Sequence, residues 1–484
     1  MRLLDSVEAP AGSGVPPSIR LEDLLVATGG RLLGPTSVTS FATAAVDSRQ
    51  VTPGSCFVAL RGERVDGHRF AAEAVRAGAT VLLVERPVPL PEGIDVAVVV
   101  TPDPLRALQE LAAWWRARSA VRVVGVTGST GKTIAKEIIA DVLARTVPTL
   151  RSEGNQNSEM GLPMTLLRLE ASHEAAVLEM SMYTEGEIAR LAEIARPEVG
   201  VVLAVHPTHL ERAGSLEAIA RAKAELPAAL PRDGLAVLNA DDPRVAAMRS
   251  VTAAPVRTFG LGPADVRATD LESRGLEGTN FTLHSPWGTR RMLSATPGRH
   301  LVPHALAAVA VAERFEVPLD EVAAALAAGS HAPHRMALAE ARSGAKVIDD
   351  SYNASPVSVL AALDFLAETP LPAGRRRLAV LGDMLELGAD EQELHRRVGD
   401  RAGRIVDALV VVGERARWIA EGARAAGLQR VASARDADEA ADVVDRELTP
   451  GIGDLLLVKG SRGVELDRLV AQLTGLEASE QGIG

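Results

Sequence analysis

Apolar runs alternate with amphipathic stretches along most of the chain, a pattern typical of an α/β protein. The clearest run is Val121–Val126, which is apolar on both faces and so indicates a central parallel strand. In the stretch that follows, Thr133–Leu143, apolar residues recur at every fourth position, as on one face of a helix. A strand, a glycine-rich turn and a helix are therefore predicted in succession.

The runs fall into three groups, and we predict three α/β units. A leader at 1–18 precedes a first unit at 19–118, a central unit at 119–330 with a parallel or mixed sheet, and a Rossmann-like third unit at 331–484. The predicted strands are Cys56–Leu60, Thr80–Val84, Val96–Val100, Ala175–Leu178, Val199–Val205, Ala236–Leu238, Val347–Ile348, Leu378–Leu381, Leu409–Val412 and Leu455–Val458. The predicted helices include Phe70–Ala77, Leu105–Arg116 and Leu301–Phe315.

Composition narrows the class of protein. The 484 residues are 47% hydrophobic and 24% charged, which excludes a largely disordered chain. A net charge of −11 and 3% aromatic residues argue against general nucleic-acid binding. Cys56 is the only cysteine, so no internal disulfide can form. We see no signal peptide and no apolar run of about 18 residues, and we expect a cytoplasmic protein without a membrane span.

The strongest local signal is the segment TGSTGKT after the predicted central strand. Its glycines let backbone N–H groups close on phosphate oxygens, and the following helix adds the positive end of its dipole. Lys132 can neutralise phosphate charge, and the Thr133 hydroxyl can bind Mg²⁺. The general motif has a glycine where this chain has Val126, so the loop is a variant form. The alternative is a glycine-rich turn with a chance lysine. The predicted ATP-binding loop comprises Thr127, Gly128, Ser129, Thr130, Gly131, Lys132 and Thr133.

Polar residues follow other predicted strands, where ligands bind in open α/β sheets. Glu179 is well placed to hold Mg²⁺, although it can also be an ordinary loop glutamate. His206 and His209 can bind metal or shape a pocket, but each taken singly favours a structural role. Asn239 and Asp241 can meet a base or ribose, or make an Asx-turn.

Lys223 lies on the apolar face of a predicted helix that Ser215 caps. On the pattern alone, the lysine is expected to snorkel to water rather than to enter the nucleotide pocket. His300, Arg335 and the pair Asp349 and Asp350 lie near the boundary Gly329–Pro333. An arginine brought in by a second unit suits phosphoryl transfer, and surface salt bridges are the alternative.

These motifs together resemble the Mur ligase family of ATP-dependent amide-bond ligases, over nearly the whole chain after the leader. The family's TGxxGKT loop matches TGSTGKT and accounts for Val126. Gly154–Leu167 and Val177–Ile188 resemble two further family segments, and residues 206–226 resemble its histidine-to-lysine stretch. The resemblance implies a carbamate on Lys223, an anionic Mg²⁺ ligand, which reverses the expectation of snorkelling.

Four segments refine the expected substrates. Asp349–Leu363, Leu381–Gly388 and Val458–Val470 resemble the branch whose amine substrate is D-alanyl-D-alanine, and Asp47–Phe70 resembles the family's uridine-nucleotide-binding domain. The resemblance implies a monomer that uses ATP and two Mg²⁺ ions, with UDP-N-acetylmuramoyl-tripeptide as the other substrate.

The resemblance also implies roles for individual residues. Catalytic roles fall to Lys132, Lys223, His209 and Arg335, and metal binding to Thr133, Glu179, His209 and Lys223. Nucleotide contacts outside the loop fall to Asn239, His300, Arg335 and Asp350. Substrate contacts fall to Asp47, Ser48, Arg49, Asn157, Ser158, Asn353, Ala354 and Ser355.

Some positions depart from the family pattern, and other functions stay open. The departures are Ser158, Ala204, His206, Ala224, Leu301 and His304, of which the last two bear on adenine contacts. One alternative is an amide ligase with another acceptor, such as a folylpolyglutamate synthase, although Asp47–Phe70 speaks against the folate branch. A P-loop ATPase without ligation predicts no role for Lys223 or the first unit. A substrate-binding pseudoenzyme is disfavoured by the retained phosphate, metal and lysine positions.

Overall fold

The computed structural model describes residues 18–62, 65–207, 210–330 and 332–475, and three main sheets organise them. Most of the predicted leader and the candidate residue His209 lie outside the described residues. The α/β class and the three units with their separate sheets are confirmed, while the unit boundaries stay predictions. No helix of the described chain is both long and apolar enough to cross a membrane.

The first unit holds a five-stranded sheet and a two-stranded pair. Its strands are β1 Ile19–Arg20, β2 Arg31–Leu33, β3 Ser40–Phe41, β4 Ala44–Ala45, β5 Cys56–Val58, β6 Val81–Val84 and β7 Ala97–Val100. Its helices are α1 Leu21–Thr28, α2 Ala71–Arg76 and α3 Pro104–Arg116. The sheet order is β2-β7-β6-β5-β4, with β2 antiparallel and the other four parallel, while β1 pairs with β3.

Helix α3 ties this unit to the next. It begins where Asp103 accepts the backbone N–H of Arg106 at 3.0 Å, and Pro104 occupies its first turn. Its buried apolar face shares one core with residues of the central unit. At its end, the buried Arg116 donates from Nε to the carbonyl of Ala195 at 2.9 Å. The first two units therefore pack through a common core.

The central unit holds a nine-stranded sheet. Its strands are β8 Arg122–Thr127, β9 Thr149–Arg151, β10 Ala175–Glu179, β11 Val199–Val202, β12 Leu235–Asn239, β13 Val256–Gly260, β14 Val266–Ser273, β15 Thr279–Ser285 and β16 Gly288–Ser294. Its helices are α4 Lys132–Leu143, α5 Gly161–Leu166, α6 Glu187–Ala195, α7 Leu210–Ala213, α8 Leu216–Ala228, α9 Pro243–Ala247, α10 Val302–Arg314 and α11 Leu319–Ala328. The order is β16-β15-β14-β13-β12-β11-β8-β10-β9, parallel from β9 to β14 and antiparallel beyond. Strand β8 lies between β11 and β10, so the chain reverses its direction of travel across the sheet there, and ligands bind at such a point.

The third unit is a six-stranded sheet with helices on its faces. Its strands are β17 Ala337–Glu340, β18 Lys346–Asp350, β19 Arg377–Gly382, β20 Ala408–Val412, β21 Val431–Ala434 and β22 Leu455–Lys459. Its helices are α12 Pro356–Glu368, α13 Glu391–Gly403, α14 Arg417–Ala425, α15 Ala437–Val443 and α16 Leu466–Thr474. The order is β17-β18-β22-β19-β20-β21, with only β17 antiparallel.

The predicted strands and helices differ from the structure by one to three residues at their ends, and two of these differences have a clear local cause. The strand predicted to reach Val205 ends at Val202, because the next residues bind the phosphate loop: Leu203 N–H donates to Thr127 O at 3.0 Å, and Ala204 O accepts from Ser129 N–H at 2.8 Å. The helix predicted from Phe70 starts at Ala71, after a 3₁₀ turn. Strands β13 to β16 were not predicted, because polar residues interrupt the alternation of apolar and polar positions in their sequences.

Candidate active site

The phosphate loop lies at the carboxyl end of β8. Gly131, the N-cap of α4, has φ +79°, a conformation that favours glycine. The ammonium of Lys132 donates to Gly128 O at 3.0 Å and so folds back over the loop. Ser129 is hydrogen-bonded to the segment that follows β11: its hydroxyl donates to His206 O at 3.0 Å and accepts His206 N–H at 2.9 Å. The predicted loop is thus a defined turn with its lysine directed along it.

Thr133 and Glu179 form a buried corner beside this loop. The Thr133 hydroxyl donates to Glu179 Oε2 at 2.8 Å, and Asn157 Nδ2 donates to Oε1 at 2.8 Å. Glu179 is 2% exposed, so it is not an ordinary loop glutamate. Burial alone would raise the pKa of Glu179, but the charges of Lys132, Arg335 and Lys136 hold it below its ordinary value. The carboxylate is therefore kept ionised in a buried place.

The donor set of this corner fits Mg²⁺. Mg²⁺ prefers oxygen ligands and is commonly held by one or two carboxylates together with substrate phosphates. Glu179 supplies the carboxylate, Thr133 the hydroxyl, and the loop a place for phosphate. Thr127 adds a buried hydroxyl with no hydrogen-bond partner among the described residues. Among the described residues, no group of three or more His, Cys, Asp or Glu side chains is arranged so that it could hold a metal ion.

Lys223 lies inside the protein, and the expectation of snorkelling was wrong. Ser215 caps α8 as predicted, accepting Ala218 N–H at 3.1 Å. The helix packs over β8 and β11 beside α6, and Lys223 is 3% exposed. Its ammonium has no hydrogen bond or ion pair within the described ranges. Burial, and then the charge of Lys132, lower the pKa of Lys223 well below its ordinary value. Both effects favour the uncharged amine over the ammonium.

The other strand-end residues are held by local contacts. Asn239 Nδ2 donates to Leu203 O at 2.7 Å, and its Oδ1 accepts Asp241 N–H at 2.9 Å, which is the Asx-turn alternative. Asp241 then accepts the backbone N–H groups of Leu261 and Gly262 at 2.6 and 2.8 Å. Burial lowers the pKa of His206. These side chains shape the rim of the site.

Two histidines stand where α10 meets the phosphate loop. His304 Nδ1 lies 3.3 Å from Leu301 O, and a methyl group on Gly131 would overlap its Nε2. Burial lowers the pKa of His304 and of His300 to about 4, aided at His300 by the charges of His304 and Lys459. Both rings are neutral at physiological pH. His304, a departure from the family pattern, thus takes up the space above the loop.

The third unit brings Arg335 to the site. Its charge acts on Glu179 and on Lys132, so it lies within electrostatic range of both. Its guanidinium carbon sits 4.1 Å from the centre of the Tyr352 ring, and that of Arg462 sits 5.6 Å from the same centre. Arg335 therefore reaches the central unit while it packs on a ring of its own unit.

Asp350 and the following loop are held by Lys459. The buried Lys459 ammonium donates to Asp350 Oδ2 at 2.6 Å and to Asn353 O at 2.8 Å. Burial raises the pKa of Asp350, against the opposing charge of Lys459. The neighbouring Asp349 accepts from His334 Nδ1 at 2.8 Å and raises the pKa of that histidine. Asp350 is thus a buried ion-pair member rather than a surface salt bridge.

The predicted substrate residues lie in three places. Asp47 accepts Arg49 N–H at 3.0 Å and pairs with its guanidinium, while the Ser48 hydroxyl donates to Glu73 at 3.0 Å. Ser158 accepts Gly161 N–H at 3.3 Å at the start of α5. In the third unit, Asn353 Oδ1 accepts Ala354 N–H at 2.8 Å, and Ser355 caps α12.

Sequence reasoning missed four residues of the site: Lys136, Ser152, Tyr352 and Lys459. Lys459 ends an apolar strand, β22, and a charge at that position was a signal that could have been used. Tyr352 follows the noticed Asp349–Asp350 pair. Lys136 and Ser152 carried no signal, since neither stands in a motif of known chemistry.

A phosphate loop, a buried carboxylate with a hydroxyl, and an arginine from another unit define an enzyme that acts on ATP. Comparison with known proteins gives the family. Residues 43–116, 126–312 and 334–462 match, respectively, the Mur ligase family catalytic domain, the Mur ligase middle domain and the Mur ligase glutamate ligase domain. The chain is 41% identical, over 89% of its length and 92% of the relative's, to the UDP-N-acetylmuramoyl-tripeptide–D-alanyl-D-alanine ligase of Mycobacterium tuberculosis.

Solved structures agree. The crystal structure of MurF from Acinetobacter baumannii has a TM-score of 0.82 and 32% identity, covering 95% of this chain and 100% of that one. MurF ligase from Thermotoga maritima in complex with ADP has a TM-score of 0.75 and 28% identity, covering 90% and 97%. The chain belongs to the Mur ligase family. It is an ATP-dependent ligase that forms peptide bonds and uses ATP with Mg²⁺.

Proposed function

We propose that the chain joins D-alanyl-D-alanine to UDP-N-acetylmuramoyl-tripeptide, giving the pentapeptide precursor of peptidoglycan with ADP and phosphate. The observation that carries this proposal is the buried corner of Thr133 and Glu179 beside the phosphate-loop lysine, Lys132, in a chain that is similar over most of its length to ligases of that name.

ATP is needed because a carboxylate oxygen is a poor leaving group. An oxygen of the terminal carboxylate of the tripeptide attacks the γ-phosphorus, and the bond from that phosphorus to the ADP oxygen breaks. The product is an acyl phosphate. The amine of D-alanyl-D-alanine then attacks the acyl carbon, loses a proton, and the carbon–oxygen bond breaks to release phosphate.

Two anions meet in this reaction, and the chain supplies opposing charge. Lys132 extends along the phosphate loop, and Arg335 acts on the same place from the third unit. Fixed cations in a partly buried site stabilise the charge that spreads over the transferred phosphoryl oxygens. A site built from two units also favours closure around the substrates before transfer.

Two Mg²⁺ ions are part of the proposal. Thr133 and Glu179 would hold one, and His209 with a modified Lys223 would hold the other. Bound Mg²⁺ would supply charge neutralisation between nucleotide and carboxylate.

Carbamylation of Lys223 is supported by its burial and by its lowered pKa. An uncharged amine carries the lone pair that attacks carbon dioxide, and the product loses a proton to become an anion. A buried ammonium with no partner is costly, whereas an anion beside Mg²⁺ and Lys132 is compensated.

The remaining contacts follow the family pattern. We assign Asp47, Ser48 and Arg49 to the uridine nucleotide and Asn157 with Ser158 to the tripeptide. Asp350 is assigned to the ribose, while Asn239 and His300 are assigned to the base. The amine substrate is assigned to the loop Asn353–Ser355, which the ion pair of Lys459 holds in place.

We also propose that the enzyme acts as a cytoplasmic monomer. Cys56 is buried, and burial raises the pKa of its thiol to about 12, so no disulfide chemistry is called for.

The experiment is phosphate release from ATP and Mg²⁺ with UDP-N-acetylmuramoyl-tripeptide, with and without D-alanyl-D-alanine. Single amino acids and folate acceptors run beside it. The proposal predicts release that requires the dipeptide, with an equimolar pentapeptide product. Release with a single amino acid would move the chain to another branch of the family, and acceptor-independent release would leave only an ATPase.

A further inference from the structure

Lys136 is a buried cation that the proposed reaction does not use. It lies one turn into α4, three residues after Thr133, and its side chain is 0% exposed. The ammonium donates to Ser152 O at 2.5 Å and pairs with Glu137 at 2.6 Å. Glu137 in turn binds Arg151 at 2.6 Å through its other oxygen.

Ser152 connects this cation to the metal corner. Its N–H donates to Val177 O at 3.1 Å, which continues the pairing of β9 with β10. Its hydroxyl accepts Glu179 N–H at 3.1 Å. The carbonyl, the hydroxyl and the N–H of Ser152 are therefore all engaged, and two of these bonds fix the end of β10.

The contacts form a closed ring. Thr133 binds the carboxylate of Glu179, the N–H of Glu179 binds Ser152, and Ser152 binds Lys136, which shares α4 with Thr133. The segment after Ser152 carries Asn157, which binds the other oxygen of Glu179. One carboxylate oxygen and the backbone N–H of Glu179 are thus held within this ring, and Asn157 holds the other oxygen.

We infer that Lys136, acting through Ser152, is a positioning residue that sets the Glu179 carboxylate for Mg²⁺. A plain structural reading takes Lys136 as a buried ion-pair partner of Glu137. That reading does not explain why the ammonium also holds the residue that receives Glu179 N–H. The inference rests on the proposed function, because it assumes that Glu179 binds the metal.

The test measures Mn²⁺ binding in the presence of ADP, from the electron paramagnetic resonance signal of free Mn²⁺. The variants are Lys136→Met and Ser152→Ala, with Glu179→Gln as reference and Lys346→Met, at an exposed lysine paired with Glu340, as the control. Ser152→Ala removes the link to Glu179 while the Lys136–Glu137 pair stays. Partners of metal ligands typically change metal affinity by about 10–100-fold when removed.

We expect both Lys136→Met and Ser152→Ala to weaken Mn²⁺ binding by about 10–100-fold. The control should bind as the unmodified chain does, and the KM for D-alanyl-D-alanine should not change. Should Lys136→Met fail to fold, Ser152→Ala decides alone.

Two results would overturn the inference, and they are distinguishable. Normal Mn²⁺ affinity in the folded Lys136 and Ser152 variants, beside a loss in Glu179→Gln, removes the positioning role and leaves the proposed function intact. Normal affinity in all variants, Glu179→Gln included, removes Glu179 as a ligand and the inference with it.

Discussion

Gly131 offers a sharp test of how the phosphate loop is built. We predict that Gly131→Ala destabilises the chain more than Gly186→Ala does. Both glycines are helix N-caps with positive φ, +79° and +95° respectively. A methyl group at Gly186 meets nothing within 4 Å, whereas one at Gly131 overlaps Nε2 of His304, with its Cδ2 and Cε1 at 3.0 Å.

The magnitudes follow from these two environments. The left-handed backbone costs an alanine about 1–2 kcal/mol at either position. Overpacking against His304 adds about 1–3 kcal/mol at Gly131 alone. In a unit of about 150–250 residues, each kcal/mol lowers Tm by about 2–4 °C. Gly131→Ala should therefore unfold about 2–12 °C below Gly186→Ala.

The assay is thermal unfolding of the full chain, with calorimetric ADP titration beside it. His304→Ala in the Gly131→Ala background removes the overlap, so the extra loss caused by the methyl group should disappear in a double-mutant cycle. ADP affinity should fall in Gly131→Ala and not in Gly186→Ala. Equal Tm values for the two alanine variants, or no coupling to His304, would refute the reasoning.

Three further predictions concern single side chains. Lys223→Ala should lower kcat by more than about 10–100-fold, the loss typical when a residue that contacts a metal ligand is removed. Added short-chain carboxylates should restore activity. Full activity without them would contradict the carbamate. Lys459→Met removes the cation that lowers the pKa of Asp350, so that pKa rises further and the carboxylate is protonated at a higher pH as the solution is acidified. As the pH is lowered, calorimetric titrations should show that Lys459→Met loses ADP affinity at a higher pH than the unmodified chain does. Identical pH profiles of ADP affinity for the two proteins would refute this prediction. Asp47→Ala should raise the KM for the UDP substrate and leave that for D-alanyl-D-alanine unchanged; an unchanged KM for the UDP substrate ends the assignment. The exposed-lysine variant Lys346→Met is the control for both lysine changes.

The sequence predicted the elements that carry the phosphate loop because the signals there are local. The predicted strand Val121–Val126 begins and ends one residue before β8 does. The predicted helix Thr133–Leu143 begins one residue after α4 and ends at the same residue. The strand and the helix are each predicted from the spacing of their own apolar residues, and the glycines between them mark the turn. The family motifs then placed Thr133 and Glu179, which the structure brings to 2.8 Å.

The features of the site that the sequence did not predict depend on packing between helices and strands. Periodicity put Lys223 on an apolar stripe, but only the position of α8 over β8 and β11 decides that the lysine is buried. Lys136 reads as an ordinary helix lysine until the pairing of β9 with β10 places Ser152 beside it. Asn239 illustrates the opposite case, since its local Asx-turn was foreseen as an alternative.

The measurement that tests the central claim most directly follows oxygen from substrate to phosphate. The terminal carboxylate of UDP-N-acetylmuramoyl-tripeptide is labelled with ¹⁸O, and the enzyme turns over with ATP, Mg²⁺ and D-alanyl-D-alanine. An acyl phosphate transfers one labelled oxygen to each phosphate released with the pentapeptide, which mass spectrometry detects. Unlabelled phosphate would contradict the account, since it would mean that ATP is hydrolysed without activating the carboxylate.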